Sequence, residues 1–460
     1  MAKVFNHMYL MEYKRKLISA EDAALLVESD SIVDYGAFAS KPVAFDAALS
    51  RRCGTGLTDV SVRGTATILP LPQVMLNDTK QETFTYFSRF FTEADRKAAE
   101  FGLSVHLPLQ YYDAGKISGE AEYFDISPDV WVAQVAPMDS SGCFNFGLAN
   151  FHNRSLALQA GITIVEINEN MPRCLGGSNE CLHISEIDYI IEAHNPAIFS
   201  APPAAPPNRE ESIVARMIME EIEDGACLQL GRGIICDAVG NMIADSDLKN
   251  LGLHSEIFCD SYVKMIMQGQ VTNIKKTTDR NKSVYSYCLA TAETYDFLND
   301  NPRCASYSID YTNNPKRISI NSKVVSLGYV LEMDLLGQVC SESHGLRQIS
   351  GIGGQLDFII GAFNSEGGKS FLAFTSSFKD KSGHRQSRIR PLLTSGAAVS
   401  VPRSMTHYVV TEYGKVNLKR LSTWGRAAAL IELAHPDFRA ELIEEARRMK
   451  IWSRTNRIPF

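Results

Sequence analysis

Three stretches of this chain carry residues whose types could do chemistry. Gly351-Ile-Gly-Gly354 opens the apolar run LDFIIGAF. Glycine reaches φ > 0 at little cost and has no Cβ, so such a turn brings backbone N–H groups close to a bound group. With a helix after it, those N–H groups lie at the helix's positive end and suit an anion or a developing oxyanion. Gln229-Leu-Gly-Arg-Gly233 offers a second glycine backbone, and His254-Ser-Glu256 places a carboxylate after the apolar LGL. Each stretch also has an ordinary reading, as a turn between buried elements or as a solvated or helix-capping glutamate. Two chemistries are excluded early. No His/Asp pair stands at a triad-like spacing, and no acidic residue follows the glycine turn at the distance a dinucleotide fingerprint needs.

The elements that must position these groups alternate in type. Ser19 and Asp22 are spaced as an N-cap and its partner, and lead a helix over AEDAALLVES. SIVDYG reads as a strand, and FTEADRKAAEFG as an amphipathic helix that stops on Gly102. SVHLPLQYY, DVWVAQVAPMD and ITIVEINENMP are further short apolar runs, separated by helix-like segments such as NRSLALQAG. This alternation predicts an α/β domain with a largely parallel sheet. Residues 194–211 are proline-rich and read as a semi-rigid connector. Beyond it the alternation restarts: helix to Gly225, strand CLQLG, helix CDAVGNMI, strand GLHSEIF, helix DSYVKMIMQG. Two open α/β domains are therefore expected, residues 1–200 and 201–460, the second carrying Glu256 and closing on amphipathic helices. Ligands of open α/β sheets sit beyond the carboxyl ends of strands, and in this reading all three stretches fall at strand-to-helix junctions.

Composition removes other classes. A chain of 460 residues is too long for one core. Its 45% hydrophobic and 22% charged residues are ordinary for a globular protein. The net charge of −7 and scattered basic residues give no phosphate-tracking stripe, so no nucleic acid is expected as partner. The start of the chain lacks an apolar segment with a small-residue cleavage site, and no run of roughly 18 apolar residues exists. Neither a membrane partner nor secretion is expected, and the cytoplasm is the expected location. Ten dispersed cysteines, without CxxC or a Cys/His cluster, read as reduced thiols with no metal site.

At this point the residues carry a resemblance. LQLGRGIICDAV, LGLHSEIF, EMDLLGQVCSES, RQISGIGGQLDFIIGAFNSEGGKS and HYVVTEYG resemble signature blocks of the acetyl-CoA hydrolase/transferase family, class I CoA-transferases. SAEDAALLVESD, PMDSSGCFNFG, EINENMPRCLGG and HISEIDYI extend the likeness over nearly the whole chain, and it is greatest to the 4-hydroxybutyrate and butyryl-CoA:acetate branch. The resemblance implies two homologous α/β domains, a homodimer, and CoA as co-substrate with no permanently bound cofactor or metal. It implies Glu256 as nucleophile. It places Gln229, Leu230, Gly231, Arg232, Gly233, Gly353 and Gly354 along the CoA thioester and its oxyanion. Lys369 could meet a CoA phosphate or be a solvated loop lysine.

The departures from the family pattern fall on the acyl side. Arg232 stands for an Ile, Cys236 for a Pro and Gly328 for an Asn, while Tyr35 and Phe38 enter a glycine-rich N-terminal block. Gly328, Tyr329, Tyr35 and Phe38 are the expected acyl-pocket residues, with Gly328 opening space and the aromatics walling it. Neutral drift would give the same substitutions. Three functions remain open: transfer of CoA between a butyryl-CoA-like donor and a small carboxylate such as acetate, hydrolysis of acyl-CoA, or silent CoA binding.

Overall fold

In the computed structural model, residues 7–114 and 127–451 are described. They divide into two compact units: residues 1–202 with 256–259 and 282–313, and the remainder.

The first unit is built on seven strands: β1 (Ile32–Tyr35), β2 (Val60–Gly64), β3 (Phe84–Ser88), β4 (Val105–His106), β5 (Val130–Val135), β6 (Ile162–Ile167) and β7 (Tyr189–Glu192). Their order is β4-β3-β2-β1-β5-β6-β7, and every pairing is parallel. All six residues of β5 are buried, as a strand covered on both faces requires. Ser19 accepts from the Asp22 N–H and caps the helix Ala20–Leu25, as its spacing predicts. Thr92 caps Glu93–Ala99 in a capping box with Asp95.

The second unit's main sheet has six strands: β8 (Cys227–Leu230), β9 (Gly252–Leu253), β10 (Val324–Tyr329), β11 (Lys369–Ala373), β12 (Tyr408–Thr411) and β13 (Gly414–Asn417). The order is β9-β8-β10-β11-β12-β13, parallel except for the β12–β13 hairpin. Helices Thr423–Leu433 and Pro436–Arg448 close the chain, burying Leu430, Ile431, Leu442 and Ile443 in this unit's core. Among the described residues no helix is long and apolar enough to cross a membrane.

The stretch GLHSEIF departs from the single strand expected of it. Gly252–Leu253 pairs with β8, but Ile257–Phe258 pairs in parallel with Tyr287–Cys288 of the first unit. The physical reason is backbone satisfaction. Cys288 N–H donates to Leu148 O (2.8 Å) and Asn150 N–H to Ser286 O (3.1 Å), so 256–259 and 282–313 are stitched to the 148–151 loop. Glu256 thus folds with the first unit, although the connector at 194–211 lies well before it in the sequence.

Candidate active site

Glu256 is fixed first through its backbone. Its carbonyl accepts from the N–H groups of Ser286 (2.9 Å) and Tyr287 (3.1 Å). The carboxylate is gripped from one side by Asn313, whose Nδ2 donates to Oε2 at 2.9 Å. Asn313 is the C-cap of the short helix Ile309–Thr312, and its Oδ1 accepts from Thr312 Oγ1 (3.1 Å), which turns the amide's NH2 toward Glu256. Tyr287 OH reaches Oε1 at 3.4 Å, a stretched bond.

Aromatic rings surround these groups. Tyr287 stacks on Phe38 (centroids 4.0 Å, 10° between planes), and Phe151 stands edge-on to it at 5.8 Å. Tyr111 lies edge-on to both Phe151 (4.8 Å) and Tyr287 (6.4 Å). Phe38 has φ +51°, a left-handed conformation costing a bulky residue on the order of 1 kcal/mol, held by its N–H bond to Thr65 O (3.1 Å) and by the stack. Burial, and secondly the charge of Glu256, push the phenols of Tyr111 and Tyr287 well above their ordinary value. Both therefore stay protonated and can only donate to a carboxylate.

The second unit holds a different kind of site. A cavity of about 310 Å³ opens beyond the carboxyl ends of β8, β10 and β11, where the strand-end rule puts ligands. Arg232, Gly233, Ile234, Cys236, Gly328, Tyr329, Thr375 and Arg388 line it. Gly233 is the N-cap of Ile234–Ala244 at φ +140°, a conformation open to glycine, and no side chain caps that helix. Arg388 lies over the rings of Tyr329 (5.6 Å) and Phe378 (4.7 Å) and donates to Leu331 O (3.1 Å). Two guanidinium groups and an uncapped helix N-terminus favour an anionic ligand here, against the Glu211 carboxylate on the same wall. Burial pushes the Cys236 thiol up to about 12, so it lines the wall as a neutral, unreactive group.

The expected site residues separate on inspection. Gln229 and Leu230 are the buried end of β8, with the Leu230 N–H donating to Tyr262 OH (2.7 Å), while Gly231, Arg232 and Gly233 form the turn beyond. Gly353 has φ +59° and Gly354 is the N-cap of Gln355–Asn364, again without a side-chain cap. This turn follows an excursion over 330–350 rather than leaving β10 directly. Lys369 begins β11, at the strand end opposite Ala373 of the cavity wall, and pairs with Glu221 (2.8 Å). It is a structural ion pair, not a cavity residue.

The aromatic wall also needs correction. Tyr35 is fully buried in the first unit's core, donating to Asp46 Oδ1 (3.0 Å) with Phe45 edge-on at 6.3 Å. It faces no ligand. Phe38 belongs to the rings beside Glu256, whereas Tyr329 is 43% exposed on the second unit's cavity. Gly328 opens no space: a Cβ there would lie 2.6 Å from Gln355 Nε2, which donates to Tyr329 O at 2.7 Å. A side-chain amide from another element fills the room that the glycine leaves. Tyr111, Tyr287, Asn313, Gln355 and Arg388 escaped the sequence reading. Gln355 sat inside a quoted motif and Tyr111 inside the quoted run SVHLPLQYY, and nothing local marks any of the five as a site residue.

Comparison with known proteins finds relatives over nearly the whole chain. A family model described as the acetyl-CoA hydrolase/transferase N-terminal domain matches residues 1–199, and its C-terminal counterpart matches 291–446. The stretch holding Gln229–Gly233 and Glu256 lies between the two. The chain is 42% identical over 446 residues to the butyryl-CoA:acetate CoA-transferase of Anaerostipes caccae, covering 97% of this chain and 99% of that one. It is 38% identical to the 4-hydroxybutyrate coenzyme A transferase of Clostridium kluyveri over 440 residues, 95% of this chain and 98% of the other. Among solved structures, RipA from Yersinia pestis superposes with a TM-score of 0.87 at 35% identity, over 96% of this chain and all of that one.

Proposed function

The chain belongs to the acetyl-CoA hydrolase/transferase family and is a CoA-transferase, and from that premise we propose that Glu256 is the nucleophile of a ping-pong transfer between a butyryl-CoA-like donor and acetate. The observation that carries the assignment is a carboxylate fixed by Asn313 and walled by Phe38, Phe151 and Tyr287. Low local dielectric strengthens a carboxylate's interactions and excludes water, which competes for an activated acyl group.

In this reading a Glu256 oxygen attacks the thioester carbon, and CoA leaves as thiolate from the tetrahedral adduct, giving the mixed anhydride. The thiolate then attacks the Glu256 carbonyl carbon, releasing the first acid and leaving a glutamyl-CoA thioester. A second carboxylate reverses the sequence. Splitting one difficult acyl transfer into such steps is what covalent catalysis supplies. The family resemblance assigns the oxyanion's charge to the N–H groups at Gly353 and Gly354, a task for which one donor is worth roughly 3–4 kcal/mol. The cavity at Gln229–Gly233, with Arg232 and Arg388, takes the anionic CoA. The aromatic wall favours an apolar acyl chain over a hydroxylated one, at about 0.8 kcal/mol per buried methylene.

Incubation with butyryl-CoA and no acceptor should add CoA to the protein on a peptide containing Glu256. Borohydride should reduce that adduct, and Glu256→Ala should lack it. Turnover by wild type without any adduct would exclude the mechanism.

A further inference from the structure

Three donors converge on the surroundings of the Glu256 carboxylate, and two are engaged in the resting protein. Asn313 Nδ2 holds Oε2, and Tyr287 OH reaches Oε1. The third, Tyr111 OH, is different. Its side chain is 1% exposed, and its hydroxyl has no hydrogen-bond partner among the described residues. A buried donor left unmatched is destabilising, and native proteins tolerate it chiefly where function uses it. Its place is well defined. The turn Tyr111–Asp113 packs on the helix Ile309–Thr312 that ends in Asn313, and the ring rests edge-on against Phe151 and Tyr287.

We propose that the Tyr111 hydroxyl is the hydrogen-bond donor for the carboxyl group of the acid that exchanges at Glu256, with Phe38, Phe151 and Tyr287 walling that acid's apolar chain. The inference rests on Glu256 being the nucleophile. In the discharge step one oxygen of the acid attacks the thioester carbon of the glutamyl-CoA adduct, a C–O bond forms, and the C–S bond breaks to release thiolate. The thiolate then adds to the acid's own carboxyl carbon. The bond from that carbon to the bridging oxygen breaks, giving the new acyl-CoA and leaving that oxygen in the free Glu256 carboxylate. The acid's second oxygen carries charge at two points: shared as carboxylate, and concentrated when thiolate adds. That oxygen is the one a protonated phenol serves. Tyr287 is already directed at Glu256 itself, which leaves Tyr111. Water attacking the same adduct has no second carboxyl oxygen, so hydrolysis does not use this donor.

Tyr111→Phe removes the hydroxyl alone and separates these possibilities. Acetate-dependent discharge of the preformed adduct should fall roughly 10- to 100-fold. Hydrolysis of the adduct without acetate should stay within about twofold of wild type. The melting temperature should not drop, because the lost hydroxyl bonds nothing in the resting protein. Unchanged acetate-dependent discharge overturns the inference. So does an equal fall in discharge and hydrolysis, which would make Tyr111 a positioning residue for Glu256. Failure of the variant to fold overturns it as well, since the hydroxyl would then have a structural partner. If wild type forms no adduct, the reading of Glu256 falls and takes this one with it. An intact adduct with unchanged discharge in Tyr111→Phe sinks this inference alone.

Discussion

The surroundings of Glu256 and the strand-end cavity of the second unit are built by opposite means. The first is a set of side chains, Tyr111, Tyr287 and Asn313, drawn from positions far apart in the chain and closed by aromatic packing. The second is formed by the Gly233 turn at a helix N-terminus and by the ends of β8, β10 and β11, with Arg232, Arg388 and Glu211 at its wall. A carboxylate that must react needs to be held and kept dry, which only side-chain packing does. A large anion needs many weak donors and room, which loops at strand ends supply. Side-chain sites should therefore fail sharply on single substitutions, and backbone sites gradually.

The sharpest break should come at Asn313. Asn313→Ala removes the short bond to Oε2, and kcat should fall about 10²- to 10³-fold with KM for the acyl-CoA little changed. Quenched-flow measurement of adduct formation checks this, and a near-normal rate would mean Glu256 is positioned by its backbone alone. A milder effect is expected in the cavity. Arg232→Ile should raise KM about tenfold for butyryl-, 4-hydroxybutyryl- and succinyl-CoA alike, as loss of a charge-assisted bond to their shared CoA part would. Loss confined to succinyl-CoA would instead assign Arg232 to the acyl group and turn the specificity reading round. The smallest effect belongs to Gly328→Ala. Its Cβ would force Gln355 from its bond to Tyr329 O, costing about 1 kcal/mol in denaturant unfolding, with kcat/KM for butyryl-CoA lowered several-fold. A stability gain there would show that Gln355 relaxes freely.

The two sites also differ in how far they could be read in advance. Gly233 and Gly354 are legible because helix N-termini after glycine follow from local rules that act within a few residues. Arg232 could be named from its motif, but its place on the cavity wall depends on β10 pairing with β8 and β11 with β10. Tyr35 was misplaced because alternation in a parallel strand does not say which face meets a ligand; here it meets Phe45 and Asp46. Lys369 was misplaced because the neighbouring glycines said loop, while the chain had already entered β11 and met Glu221.

By itself the sequence determined the α/β alternation, the cap at Ser19, the family, and Glu256 as the carboxylate to examine. Periodicity, capping and motif blocks are short-range properties, and one strand or one turn contains the whole signal. Tertiary structure alone decided that Glu256 folds with the first unit, that Gln355 fills the space beside Gly328, and that Tyr111, Tyr287 and Asn313 gather at the carboxylate. These outcomes depend on which backbone groups find partners and which rings pack together once distant segments meet. No window of sequence holds both sides of such a contact.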